Sequence, residues 1–260
     1  MNINSLQKWL QKPSDFTRLE TYMGKPKVVK LDLKDGHPFW IRAGTIDWHI
    51  FRRAIIEDEY RTEKFLKERA HCIVDVGAHI GCVTRILAPH CERLLAFEPH
   101  PDNFQILKRN MSMLEGCDLN LYQVPLSSSA GPINLHLSPT NTGGHSSFKP
   151  HPSSETCYIE LNAFPLPCFL EDRQIGSIDF LKIDAEGAEY PILASLMHWG
   201  LQNIKTMAVE YHPVRSEMSK ASPEWIEALL SNSGFQVDLR QEPGKPGYGM
   251  IFATNEDHRL

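Results

Sequence analysis

Two hydrophobic rhythms alternate along most of this chain. From Ala70 onward, short apolar runs bounded by turn residues precede longer segments whose apolar residues recur every three or four positions. The first rhythm belongs to buried strands, the second to helices with one apolar face. Strand 72–76 leads to a helix over about 80–88, and strand 93–97 to a helix over about 101–114. Pro101 suits the first turn of the latter, with Phe104, Leu107, Met111 and Leu114 along one face. Residues 119–124 read as a third strand, and 131–137 as an extra strand outside the main winding. Two more follow at 157–164 and 177–184, the second ending in an acid and running straight into a helix that tolerates Pro191 only in its first turn. A fifth core strand spans 205–213, and Ser222-Pro223 opens a helix that stops at Gly234. FQVDL and YGMIFAT then close as a pair. Strand–helix alternation of this kind predicts a doubly wound α/β sheet, mostly parallel, with one terminal antiparallel strand.

Residues 1–70 precede the alternation as a short α+β leader, expected to pack on the core formed by 71–260. KVVKLDLKDGHPFWIRAG predicts two strands about an Asp35-Gly36 turn, and TIDWHIFRRAIIEDEYRTEKFL has helical spacing. Leu6, Trp9 and Leu10 predict one side of a short helix before these. Residues 138–156, rich in Ser, Thr, Pro, Gly and His, predict a mobile loop long enough to act as a lid.

Composition narrows the class. At 260 residues, 42% hydrophobic and 23% charged, the chain fits an ordinary globular protein. A net charge of −5 argues against broad nucleic-acid binding. No apolar run approaches the roughly 18 residues of a membrane span, and the N-terminus lacks a secretory pattern. Six scattered cysteines without C-x-x-C argue against zinc and for reduced thiols, hence a cytoplasmic protein. Nothing in the sequence assigns an oligomeric state.

The candidate chemistry centres on IVDVGAHIG, residues 73–81. A strand ending in Asp75, a turn through Gly77, Ala78, His79 and Gly81, and a helix start would present backbone to a ligand. A second strand ends in Glu98, about twenty residues on, where a carboxylate can accept both hydroxyls of a ribose. The turn lacks the third glycine of a dinucleotide site and the Gly-Lys-Ser/Thr of a P-loop. D-x-G-x-x-x-G with a distal acid resembles the S-adenosylmethionine loop of Rossmann-like methyltransferases.

KIDAEGAE (182–189), DVGAHIG (75–81) and AFEPHPDNFQILKRN (96–110) together resemble the FkbM family of S-adenosylmethionine-dependent methyltransferases, over about Phe39 to Pro213. IRAGTIDWHIF and VEYHP extend the likeness. The resemblance implies O-methyl transfer to a hydroxyl of a sugar, glycan or natural product. His79 stands where the family commonly has Asn, and FPLPCFL lacks the Leu-Asp pair usual before the KID strand.

On this reading Asp75 orients the glycine turn or the cofactor's amino group, and Gly77 and Gly81 line the methionine portion, with Ala78 and His79 between them. Glu98 holds the ribose, and Pro99 and His100 lie near the adenine, as does Ser127 unless SSSAG is only a turn. Asp184, Glu186, Glu189, Glu210 and His212 form a second constellation. Its members act either by holding a divalent cation, with Asp184, Glu210 and His212 as ligands, or without metal, with His212 or Asp184 as the base. His145 is a candidate at the acceptor site; Arg42, Asp47 and Tyr60 are expected to be structural or to help close the pocket. Two competing readings are an NAD or nucleotide-sugar oxidoreductase and a methyltransferase-fold binding protein without turnover.

Overall fold

The computed structural model describes residues 8–138, 141–147, 157–214 and 221–255. In chain order the elements are α1 (Pro13–Glu20), β1 (Lys27–Asp32), β2 (Pro38–Ala43), α2 (Asp47–Phe51), α3 (Thr62–Phe65), β3 (Ala70–Val76), α4 (Cys82–Leu87), β4 (Cys91–Phe97), α5 (Pro101–Met111), β5 (Asp118–Tyr122), β6 (Gly131–His136), β7 (Tyr158–Ala163), α6 (Leu166–Asp172), β8 (Ile178–Asp184), α7 (Glu189–Trp199), β9 (Ile204–Tyr211), α8 (Pro223–Asn232), β10 (Phe235–Gln241) and β11 (Gly249–Asn255).

Seven strands form one sheet in the order β10-β11-β9-β8-β3-β4-β5. β5, β4, β3, β8 and β9 run parallel, and β11 is antiparallel to both of its neighbours. The expected reversed strand is therefore present, placed inside the sheet between β9 and β10. The chain winds outward from β3 through β4 to β5, then returns to β8 on the other side. The switch point lies between β3 and β8, and a crevice opens beyond their C-terminal ends, where ligands bind in open α/β sheets. β6 and β7 pair antiparallel in a small sheet of their own, so β6 does lie outside the main winding.

Alternation along each strand divides the core. Cys72, Val74, Val76, Leu95, Phe97, Leu181 and Ile183 face one cluster, with α6, α7 and α8. Ile73, Leu94, Ala96, Phe180 and Ala208 face the other, with α4, α5 and the leader. A period of two carries the second set onward to Asp75, Glu98, Lys182, Asp184 and Glu210, so these five share the leader's face of the sheet.

The leader is built into that face. Phe39, Ile41 and Phe51 are fully buried in the same cluster as Ile73, Ile80 and Leu107. The expected hairpin at Asp35-Gly36 forms as β1 and β2. Helical spacing over 45–66 is realised in pieces: α2, a π-helical turn at Arg52–Ile56, then α3. Of the expected N-terminal helix, Leu10 instead bridges Leu33, and Leu6 lies outside the described residues. A helix not expected from the sequence, α6, begins after Pro165, with Pro167 in its first turn where a missing N–H costs nothing.

Phe51 meets Phe39 at 5.4 Å between ring centroids. Phe51→Ala should cost about 3–5 kcal/mol, the range for a buried aromatic, in a single urea transition that lowers leader and sheet signals together. Two separate transitions would show that the leader folds as its own unit.

Candidate active site

Each strand of the parallel set ends in the crevice, and the residues that follow build its wall. The β3–α4 turn is the tightest part. Gly77 has φ +75°, and a Cβ there would lie 1.7 Å from the Asp184 carbonyl oxygen, so only glycine fits. The Gly77 and Ala78 N–H groups both donate to the Phe97 carbonyl, 2.9 Å away. His79 also has positive φ, +52°. Gly81, at φ +89°, is the N-cap of α4 and lies against Leu107 and Met111.

Beneath the turn lies a lysine within the KIDAEGAE segment. Lys182 is 1% exposed in the middle of β8. Its ammonium donates to the carbonyls of Gly77 (2.7 Å) and Val76 (3.1 Å), and pairs with Asp75 at 3.2 Å and Asp184 at 3.7 Å. The signal was a lysine at a core position of an apolar strand. Asp75 is wholly buried and accepts from the Thr84 hydroxyl at 2.7 Å. It therefore orients the turn from below, and the cavity is lined by Val76, Gly77 and Ala78 rather than by Asp75.

Glu98 follows β4 and lines the cavity. Oε2 accepts from the His79 N–H at 2.9 Å; Oε1 accepts from the His100 N–H at 2.8 Å and Asn103 Nδ2 at 3.3 Å. Burial pushes its pKa up to about 7 against the pull of those donors.

One polar network joins the leader, the turn and residues 141–147. Arg42 grips Asp47 through Nε (2.8 Å) and Nη2 (3.0 Å), and Nη2 also reaches Asn103 Oδ1 (2.7 Å) and His79 Nε2 (3.1 Å). Arginine only donates, and the two Nη2 hydrogens are shared among three acceptors, His79 Nε2 being one when its ring is neutral. Burial accordingly lowers the His79 pKa to about 4. Thr142 donates to Asp47 at 2.7 Å and accepts from Asn103 at 2.9 Å, while Ser146 donates to the Glu186 carbonyl. Within the expected loop 138–156, residues 141–147 are thus tied across the crevice, and 139–140 and 148–156 lie outside the described residues. His145 lines the cavity, stacked on His100 at 4.1 Å. Its Nδ1 accepts from the Ser138 N–H, so Nε2 carries the proton, and burial lowers its pKa to about 4. His145 offers a donor here, not a base.

The second constellation divides. Asp184 and Glu210 are register partners, and the Tyr60 hydroxyl lies 3.0 Å from an oxygen of each. Glu59 and Arg53 complete this side: Arg53 contacts Glu59 at 2.6 Å and Glu210 at 3.6 Å. Burial, with repulsion from Glu210, pushes Glu59 up to about 8. Glu186 has φ +50°, and burial pushes it up to about 8 as well. His212 is not the neutral base that the sequence suggested. Burial opposes its charge, but Glu189, bonded to Nδ1 at 3.0 Å, together with Glu186 at 3.6 Å and Asp184, raises its pKa well above the usual value. Glu189 also accepts from the Ala185 and Gly187 N–H groups, so it caps the turn before α7.

Asp184, Glu186 and His212 bring one ligand atom each within 4.8 Å of one another; Glu210, expected in that set, is held by Tyr60 and Arg53 instead. Glu186, Glu59 and Glu210, which crowd this donor set, are all pushed up in pKa by burial and by neighbouring carboxylates, a surplus of negative charge that a cation held here would offset. Ser127 is not brought to the cavity; its N–H bonds to Phe164, and Val124, Pro125 and Leu126 line the wall in its place. The cleft holds about 1200 Å³ of empty space including its solvent-facing mouth.

A doubly wound sheet with a reversed strand beside β9, a glycine turn after its first core strand and an acid after its second defines a class I methyltransferase fold. The Methyltransferase FkbM domain model matches residues 75–237, and the chain belongs to the FkbM family of methyltransferases. It is 30% identical to methyltransferase sdnD of Sordaria araneosa over 71% of this chain and 82% of that protein. It is 27% identical to the hexuronic acid methyltransferase AglP of Haloferax volcanii over 64% and 63%. It is 26% identical to the 31-O-demethyl-FK506 methyltransferase FkbM of Streptomyces tacrolimicus over 72% and 78%. Family membership sets aside the oxidoreductase reading. No described helix is long and apolar enough to cross a membrane.

Lys182→Met should cost about 3–5 kcal/mol in chemical denaturation, because it leaves Asp75 buried without its cation; a loss below about 1 kcal/mol, the scale of an exposed pair, would contradict the assignment. A pH dependence follows from the raised carboxyls. Glu59 and Glu186 move from 4.5 up to about 8 on folding, so the native state binds more protons than the unfolded one across that window. Their contribution to stability is full below 4.5 and is lost as pH rises toward about 8. His79, lowered from 6.5 to about 4, contributes oppositely, its share being lost as pH falls through that range. Urea midpoints should decline as pH rises from 4.5 toward about 8, and Glu59→Gln should flatten that decline.

Proposed function

We propose that this chain transfers the methyl group of S-adenosylmethionine to a hydroxyl oxygen of a sugar, glycan or natural-product acceptor. The observation that carries the reading is the shared face of Glu98, Asp184 and Glu210 around the Gly77 turn, which joins an adenosine-binding wall to a cluster of proton acceptors in one cleft. The relatives named for a hexuronic acid and for a 31-O-demethyl substrate support oxygen as the acceptor atom and a sugar or natural product as its carrier. Six free cysteines favour a cytoplasmic setting.

S-adenosylmethionine supplies an electrophilic sulfonium methyl, so no covalent intermediate on the enzyme is needed. Glu98 suits the ribose. Oε2 has a lone pair unused by His79, and the long Asn103 contact on Oε1 is the weakest of its bonds. Gly77, Ala78 and His79 line the methionine side, and Pro99 the adenosine side, with Val124, Pro125 and Leu126 as an apolar wall. Asp184 acts as the base that takes the hydroxyl proton. It lines the cavity beside the Lys182 ammonium, whereas Glu189 and Glu186 favour the protonated form of His212 and His145 presents a donor. Tyr60, fully buried at its ring, fixes the Asp184 and Glu210 carboxyls relative to each other. His145 and residues 141–147 roof the acceptor side and keep water from the reacting centre.

A thermal-shift titration with S-adenosylhomocysteine, with NAD in parallel, tests the cofactor. Stabilisation by the first alone is expected; stabilisation by NAD alone would overturn the reading. A panel of hydroxylated acceptors, assayed with and without EDTA, then tests transfer and any need for a cation. Glu98→Ala should weaken S-adenosylhomocysteine binding by roughly 1.5–3 kcal/mol, and unchanged affinity in calorimetry would remove the ribose role. Asp184→Asn should keep that affinity and lose about 10²–10⁴-fold in turnover; turnover at the wild-type rate would remove Asp184 as the base.

A further inference from the structure

The cleft is not the only place where reactive side chains meet. At the opposite end of the sheet, the sulfur atoms of Cys91 and Cys117 lie 3.4 Å apart. Of the other cysteines, Cys72 is buried near enough to feel the charge of both, Cys82 is buried, and Cys157 and Cys168 are exposed. Cys91 opens β4 and is buried; Cys117 immediately precedes β5 and is partly exposed. β4 and β5 are parallel neighbours, with Arg93 opposite Asp118 and joined to it at 3.1 Å. Arg69 binds the Cys91 and Gly116 carbonyls at once, which clamps the two segments that carry the thiols.

We propose that Cys91 and Cys117 are a site of reversible oxidation, at which a peroxide converts the two thiols into a disulfide joining β4 to the start of β5.

The division of labour follows from position. Cys117 is the sulfur that solvent and oxidant reach. Its hydrogen bond with Cys91 and the nearby Arg69 lower its pKa against burial and Asp118. Cys91 beneath it is buried from an oxidant but in contact with the Cys117 sulfur, placed to resolve the product. In the first step the Cys117 thiolate attacks the peroxide O–O bond. An S–O bond forms, the O–O bond breaks and hydroxide or alkoxide departs, leaving a sulfenic acid. In the second step the Cys91 sulfur displaces hydroxide from the Cys117 sulfur and forms the S–S bond, and the Cys91 proton leaves with that hydroxide as water. The two thiols together lose two electrons and the peroxide gains two. Glu98 lies past the other end of the seven-residue strand β4, roughly 20 Å from Cys91 at the usual rise per residue. The disulfide therefore staples the base of the sheet without entering the cleft.

The experiment treats the full-length protein with a few equivalents of hydrogen peroxide, alkylates it and maps the cysteines by mass spectrometry. The expected product joins the Cys91 and Cys117 peptides, about 2 Da lighter than their sum, and returns to two thiols with dithiothreitol. Cys117→Ser should give no cross-link, and Cys91→Ser should strand Cys117 as a sulfenic acid trapped by dimedone. The oxidised wild type should bind S-adenosylhomocysteine within about twofold of the reduced form, given the length of strand between the two places. A wild type that accumulates sulfenic or sulfinic acid at Cys117 without the cross-link, that cross-links other cysteines instead, or that stays fully reduced would overturn the proposal.

Discussion

The ammonium of Lys182 sits inside a parallel sheet, where an uncompensated charge would cost several kcal/mol. Its three N–H groups have three close acceptors: the carbonyls of Val76 and Gly77 and the carboxylate of Asp75. Asp184 stands just beyond at 3.7 Å. One buried cation thus anchors the strand that enters the glycine turn, the turn itself and the acid at the end of the neighbouring strand. Everything in the cleft is placed relative to that triangle. Gly77 can come so close to the Asp184 carbonyl only because it lacks a Cβ, and that approach is what seats the Lys182 head group between them.

The second constraint comes from the leader. The sheet alone would present Asp184 and Glu210 to solvent at the end of β8 and β9. Tyr60 bridges them from above, and Arg53 and Glu59 close the edge, so strand ends that would otherwise be solvated are crowded together, and burial raises the pKa values of Glu59 and Glu210. On the Glu98 side the leader works through Arg42 and Asp47, which fix His79 and Asn103 and hold Thr142 over the opening. A roof held by charge-assisted bonds at several points keeps its geometry without a large apolar interface of its own.

Much of this was legible in the chain. The strands and helices around the glycine turn follow from apolar runs and helical spacing, because buried parallel strands and one-sided helices leave clear periodicities. Glu98 and Asp184 were found because an acid directly after an apolar run can only sit at a strand end. Other assignments changed for physical reasons. α6 has only seven residues, too few to show a helical period, and begins between Pro165 and Pro167, where a missing N–H costs a helix nothing. His212 was judged by an ordinary imidazole pKa, but two glutamates flank it. Ser127 follows the right strand, but β5 ends early enough that Val124, Pro125 and Leu126 reach the cavity first.

What the sequence determined by itself was periodicity and punctuation. The two-residue alternation of β3, β4, β8 and β9 already commits Asp75, Glu98, Lys182, Asp184 and Glu210 to one face, and glycine at 77 and 81 already commits the turn to positive φ. What only the tertiary structure decided was charge state and company. Whether Lys182 is paired, whether His212 is an acid or a base, and whether Tyr60 belongs to the core or to the site all depend on groups brought together from as far apart as residues 60 and 210. Burial and neighbouring charge set protonation, and both are properties of packing that no local pattern in the chain can carry.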